Sequence, residues 1–277
     1  MNVLLFGAAG PLGRCLTGRL LSAGHQVTAF VRTPGRLSPR PGLREVTGDV
    51  LRARDVAAAV PGHDAVISAL GQSRPSPAGQ DLHPGVPGII DAMKAAGISR
   101  LIWISSHGVG DSRGRSGFAF ERIFVPLRLR AEFADKERQE ALVAASDLDW
   151  TIIRPARLTD GPATGRLRAQ PRLKISIRNS VSRADIAGFV LDELDHGRHL
   201  LTAPTVATEP SCSTSQVGSS SPAPGWSWRW VWSRWPSRPF SGWECSAACS
   251  AAGSTTRRRP QAAPRCSSTR NSAASRT

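Results

Sequence analysis

The chain has 277 residues and a formal net charge of +15, enough for one large domain or one domain with an appendage. No apolar stretch approaches the roughly 20 residues that span a bilayer, and the basic balance comes without a helix-turn-helix, zinc-finger or RNA-binding pattern, so neither membrane nor nucleic acid is an expected partner. Four of the five Cys (Cys212, Cys245, Cys249, Cys266) lie beyond residue 205, where there is no His; this excludes a disulfide framework upstream and leaves no expected metal site.

In chain order, Asn2–Phe6 is a short apolar run ending at Gly7, the pattern of a buried strand. Because it starts almost at the first residue and has no basic leader before it, a cytoplasmic location is expected. Leu12, Leu16 and Leu20 recur every four residues and predict an amphipathic helix, stopped by Ala23–Gly24. Strands are predicted at Gln26–Val31, Leu43–Val46, Ala65–Leu70, Leu101–Ser105, Trp150–Ile153 and Leu200–Val206. Helices are predicted at Asp55–Val60, Gly88–Ala96, Ala131–Ala145 and Arg183–Leu194. Strands alternating with helices imply a parallel sheet covered on both faces, and the uninterrupted apolar runs suit strands buried on both sides. The expected architecture is α/β, a single Rossmann-type doubly wound parallel sheet over residues 1–205.

Residues 206–277 differ in kind. They contain no Leu, Ile, Met, Lys, Asp or Tyr, and nine Arg stand against Glu209 and Glu244. With no aliphatic side chain larger than Val, such a segment cannot bury enough apolar surface to offset its ordering entropy. It is expected to be a low-complexity, disordered tail.

The first predicted strand and helix are joined by Gly7-Ala8-Ala9-Gly10-Pro11-Leu12-Gly13. A Gly-rich turn in this position binds a dinucleotide pyrophosphate: glycines make the turn, admit the ligand to the backbone and let helix and strand pack closely, while the helix N-terminus offers N–H groups to the phosphates. At the end of the second strand, NAD sites usually carry an acidic residue for the ribose hydroxyls. Here the chain reads Val31-Arg32-Thr33, with Arg36 and Arg40 following. Arg32 can pair with a 2′-phosphate through its planar fork, which makes NADP(H) the expected cofactor.

Further stretches carry a family likeness: TGDV at Thr47–Val50, HDAVISALG at His63–Gly71, AMKAAGISRLIWISS at Ala92–Ser106, WTIIRPARLTDGPATG at Trp150–Gly165 and SRADIAGFVLDEL at Ser182–Leu194. With the G-x-x-G-x-x-G spacing, residues 1–205 resemble the NAD(P)H-binding, NmrA-like atypical short-chain dehydrogenase/reductase family, in particular its flavin reductase and biliverdin reductase B-like members. The resemblance implies that Asp49 and Val50 contact adenine, that Leu70 and Gly71 line the ribose and pyrophosphate, and that Ser105, Ser106 and Pro155 border the nicotinamide. It departs after Pro155, where Ala156 stands in place of the His of flavin reductases.

Typical short-chain dehydrogenases donate a proton from the Tyr of Y-x-x-x-K, but this chain has no Tyr. Lys136 looks like the motif Lys, with Glu132 four residues before it, a spacing that on an exposed helix is an ordinary surface pair. Ser106, just past the fifth strand, is the candidate for orienting a substrate, and the adjacent His107 is a candidate proton donor. The apolar residues of Gly117–Leu129 suggest either a lid over the nicotinamide or a helix packing face. Two functions fit: an NADPH-dependent reductase of a small planar acceptor (quinone, flavin or enone), or a non-catalytic NADP(H)-binding redox sensor of NmrA type.

Overall fold

The computed structural model describes residues 1–71, 81–115, 130–176 and 178–209. Its centre is β1 (Asn2–Phe6), parallel to β2 (Gln26–Val31) on one side and to β4 (Ala65–Ser68) on the other, with Phe6 opposite Phe30 and Ser68. β3 (Leu43–Thr47) lies outside β2, while β5 (Arg100–Ile104) and β6 (Asp149–Pro155) extend the sheet beyond β4. The chain therefore runs outward from β1 in one direction, returns to β4, and runs outward in the other. This is the 3-2-1-4-5-6 order of a Rossmann sheet, in which ligands bind at the switch point beyond the strand C-termini.

Alternation along the strands builds two apolar layers. Val3 and Leu5 face α1 (Pro11–Ser22) and α5 (Arg183–His196), meeting Leu12, Leu16, Leu20, Ile186 and Val190. Leu4 and Phe6 face the other side, where α2 (Ala53–Ala59), α3 (Val86–Ala95) and α4 (Arg130–Ala144) contribute Val56, Ile89, Met93 and Val143. Burying each such Leu, Ile or Phe stabilises the fold by about 1.5–3 kcal/mol. The helix ends follow local chemistry. Pro11 opens α1, where a missing N–H costs nothing, and the Ser182 hydroxyl caps α5 by accepting from the Asp185 N–H at 2.9 Å.

The sheet continues past the six parallel strands. β10 (Thr205–Thr208) pairs parallel with β6 and antiparallel with β8 (Leu167–Gln170), while β7 (Arg157–Thr159) and β9 (Ser180–Ser182) form a separate parallel pair. The last strand thus starts later than the predicted Leu200, and the expected boundary between residues 205 and 206 falls inside it. β7, β8 and β9 were not predicted; at three or four residues each they are too short to show a period. The segment Gly117–Leu129 and most of the expected tail lie outside the described residues. Among the described residues, no helix is long and apolar enough to cross a membrane.

Candidate active site

The strand C-termini converge where Gly7 leaves β1. A Cβ on Gly7 would stand 2.5 Å from the Ala69 carbonyl oxygen, and one on Gly13 would stand 2.2 Å from that of Gly7. Only glycine permits the first turn of α1 to pack so tightly against the ends of β1 and β4. Gly10 is the N-cap of α1 and supplies no side chain, so the N–H groups of the first turn are left for a ligand.

Two cavities open on this turn and share Gly10, Ala69, Leu70 and Gly71, forming one cleft. The outer cavity, of about 210 Å³, is lined by Gly7, Arg32, Thr33, Asp49 and Val50, and by residues that the sequence did not assign, Arg36 and Leu82 among them. The inner cavity, of about 470 Å³, holds Pro11, Leu12, Gly13, Ser105, Ser106, His107, Lys136 and Pro155. All the sequence-assigned candidates therefore line a single cleft. A Cβ on Gly71 would meet nothing within 4 Å among the described residues. The Ser105 hydroxyl is buried with no hydrogen-bond partner among the described residues. An open cradle, an uncapped helix end and an orphaned hydroxyl fit an extended phosphate-bearing ligand such as a nicotinamide dinucleotide.

The inner wall is tied to the sheet edge. The Ser105 N–H donates to the Ile153 carbonyl at 2.8 Å and the His107 N–H to the Pro155 carbonyl at 3.1 Å, which continues the β5–β6 pairing into the site. The His107 ring is buried, with Nδ1 3.2 Å from the Thr205 hydroxyl. Among the described residues the Ser106 hydroxyl makes only a long contact, 3.4 Å, to the His107 carbonyl. Such a contact is readily exchanged for a ligand.

Lys136 is not on a solvated helix face. It is 8% exposed and lines the cavity beside Glu132 and Phe133. Burial holds its ammonium below the usual lysine range, while the carboxylates of Glu132, Glu140 and Asp135 oppose that shift. Asp135 ties α4 to the turn that leads into α3, accepting from the N–H groups of Leu82 (3.1 Å) and His83 (2.9 Å) and from Gln139 Nε2 at 2.6 Å. Burial would raise the Asp135 pKa, but these bonds outweigh it and leave the carboxyl below its ordinary range. The far wall comes from Leu158, Ile175, Ser176, Asn179 and Arg183. Sequence reasoning did not assign these residues to the site: Ile175, Ser176 and Asn179 lie between the short β7 and β9, while Leu158 on β7 and Arg183 at the start of α5 stand in stretches read only for their family likeness.

Comparison with known proteins agrees with this geometry. Residues 7–197 match the model of an NAD(P)H-binding family. The uncharacterized sugar epimerase YhfK of Bacillus subtilis is 28% identical over 205 residues, covering 70% of this chain and 88% of its own. Over 190 residues, covering 62% of this chain and 54% of its own, the 2-alkyl-3-oxoalkanoate reductase of Stenotrophomonas maltophilia is 29% identical. Among solved structures, the anaerobilin reductase ChuY of Escherichia coli O157:H7 superposes with a TM-score of 0.66 at 27% identity, covering 76% of this chain and 98% of its own.

Proposed function

Because the chain belongs to the NAD(P)H-binding family and reductases are among the proteins it resembles, we propose that it is an NADPH-dependent reductase of a small planar acceptor of the quinone, flavin or enone kind. The observation that carries this reading is the inner cavity, where Ser106, His107 and the buried Lys136 surround space directly adjoining the Gly-rich turn. A site that only sensed a dinucleotide would have no need of a buried cation and a weakly engaged hydroxyl beside the nicotinamide pocket.

Bound NADPH supplies a hydride from its nicotinamide ring. The chain supplies placement and proton handling. The first turn of α1 receives the diphosphate, and Arg32 and Arg36 receive the 2′-phosphate, a preference for NADPH supported by the lack of an acidic residue at the end of β2. Ser105 and Pro155 border the nicotinamide pocket. Ser106 donates a hydrogen bond to the acceptor oxygen and fixes its plane. Lys136 stabilises negative charge on that oxygen and delivers a proton to it, the task that Tyr performs in typical short-chain dehydrogenases. His107, buried against Thr205, shapes the floor and is a second proton source. Phe133, Leu158 and Ile175 exclude water from around the acceptor.

The test is NADPH oxidation under single-turnover conditions with a panel of quinones, flavins and enones. Oxidation with at least one acceptor class is the expected result. Tight NADPH binding with no oxidation across the panel replaces this reading with the redox-sensor one.

A further inference from the structure

One carboxylate is tied to the wall of the outer cavity without lining it. Glu45, on β3, is anchored to the same short loop that carries Arg36, close to where a 2′-phosphate would be received. A free carboxylate there would repel a phosphate. Its two oxygens are both engaged, however. Oε2 accepts the Gly35 N–H at 2.8 Å and Oε1 accepts the Leu37 N–H at 2.9 Å. The intervening residue is held from the opposite side: Arg14 Nη2 donates to the Arg36 carbonyl at 3.3 Å, while Arg14 Nε donates to the Ala9 carbonyl of the Gly-rich turn at 3.1 Å. Leu37 packs against the apolar layer under α1. Three consecutive residues are thus pinned through their backbones, and Arg36, at the centre, is among the residues lining the outer cavity together with Arg32 and Thr33.

We infer that Glu45 is a positioning residue for cofactor choice: it fixes the 33–37 loop so that Arg36 joins Arg32 at the 2′-phosphate of NADPH. The inference rests on the NADPH reading above. Two charge-assisted bonds to backbone N–H groups order the loop before the cofactor arrives, so binding does not have to supply that ordering. NADH, with no 2′-phosphate, gains nothing from Arg36 and is indifferent to the loop. Glu45 therefore acts on the ratio of the two affinities, not on binding in general.

The experiment is titration of NADPH and NADH by fluorescence of the reduced nicotinamide, with the parent, Glu45→Ala, Glu45→Gln, Arg36→Ala and the Glu45→Ala/Arg36→Ala double variant. Glu45→Ala is expected to weaken NADPH about tenfold, the scale of one lost charge-assisted contact, and to change NADH by less than about twofold. Glu45→Gln, whose amide has a single acceptor oxygen, should fall between parent and Ala. The double variant should bind NADPH no more weakly than Arg36→Ala, because both changes remove the same contact. Tighter NADPH binding by Glu45→Ala would show that the carboxylate acts as a repelling charge and overturn the inference. Equal weakening of both cofactors, or additive losses in the double variant, would overturn it as well. A parent that binds NADPH and NADH equally sinks the NADPH reading itself, whereas a parent that prefers NADPH and keeps its ratio on losing Glu45 sinks only the role of Glu45.

Discussion

Arg154 on β6 and Glu140 on α4 meet through two hydrogen bonds, Nη2 to Oε2 at 2.6 Å and Nε to Oε1 at 3.1 Å, and both side chains are almost fully buried. The same guanidinium also reaches the Asp111 carboxylate in the loop after β5. Lys136 lies one helical turn before Glu140, so this pair sets the height at which α4, and Lys136 with it, sits over the strand C-termini.

Removing one half of such a pair leaves a buried charge without compensation. Glu140→Gln or Arg154→Met is expected to cost about 3–5 kcal/mol, measured as a fall in the denaturant midpoint at unchanged slope. A loss under about 1 kcal/mol would mean that water reaches the pair and that α4 is held elsewhere.

Arg32 follows β2 at the position where NAD-specific sites carry an acidic residue. Arg32→Ala should weaken NADPH by roughly 1.5–3 kcal/mol and leave NADH nearly unchanged, as read from the two dissociation constants. Equal losses for the two cofactors would place Arg32 at the adenine or the diphosphate instead.

Burial lowers the Lys136 pKa, and the sign of the pH effect follows. The protonated amine is the form that donates, so turnover should fall as pH rises, with an alkaline limb below the ordinary lysine value of about 10.4. Lys136→Ala should lower turnover and abolish the limb, and Lys136→Arg should move it out of the measurable range. Folding stability runs the other way: between the folded and unfolded pKa values the unfolded chain binds more protons, so the fold gains stability as pH rises there.

How much of this was legible in the sequence depended on the kind of signal. β1, β2 and the turn between β1 and α1 were readable because buried parallel strands write continuous apolar runs and because Gly7 and Gly13 stand where any Cβ would collide. The place of Arg32 at the outer cavity was readable from its position in a known spacing. Glu45 was not, because its role is to receive two backbone N–H groups ten and eight residues earlier in the chain, a relation that leaves no periodicity. The far wall of the inner cavity was equally silent. Leu158 lies on β7 and Ile175 in the chain leading to β9, and the three-residue pairing of these strands has no local code. The Glu132–Lys136 spacing was ambiguous in principle, since the same i, i+4 pair describes a solvated helix face and a cavity wall; packing over β5 and β6 decides which.

Among the described residues the Ser106 hydroxyl makes one long contact, which an acceptor can replace at little structural cost. Ser106→Ala should lower turnover about ten- to a hundredfold while NADPH affinity stays within about twofold, the split expected of a group that acts mainly in the transition state. A parallel loss of NADPH affinity would instead assign Ser106 to the cofactor.

The last described strand, β10, is held in the sheet by its hydrogen bonds. β10 runs to Thr208, which stands opposite Leu167, and the Glu209 N–H donates to the Arg166 carbonyl at 3.0 Å. Val206 and Ala207 are fully buried in the layer beneath α1 and α5. Everything after Glu209 lacks Leu, Ile and Met and so has little with which to add a core. A chain ending at Glu209 is therefore expected to keep its melting transition and its NADPH affinity. A chain ending at Pro204 removes the partner of both β6 and β8 along with two buried apolar residues, and should lose several kcal/mol, on the order of 2–4 from the apolar burial alone. Differential scanning calorimetry of the two truncations against the full chain reads the boundary directly. If the cut after Glu209 costs as much as the cut after Pro204, residues 210–277 contribute to the folded state and the composition argument fails.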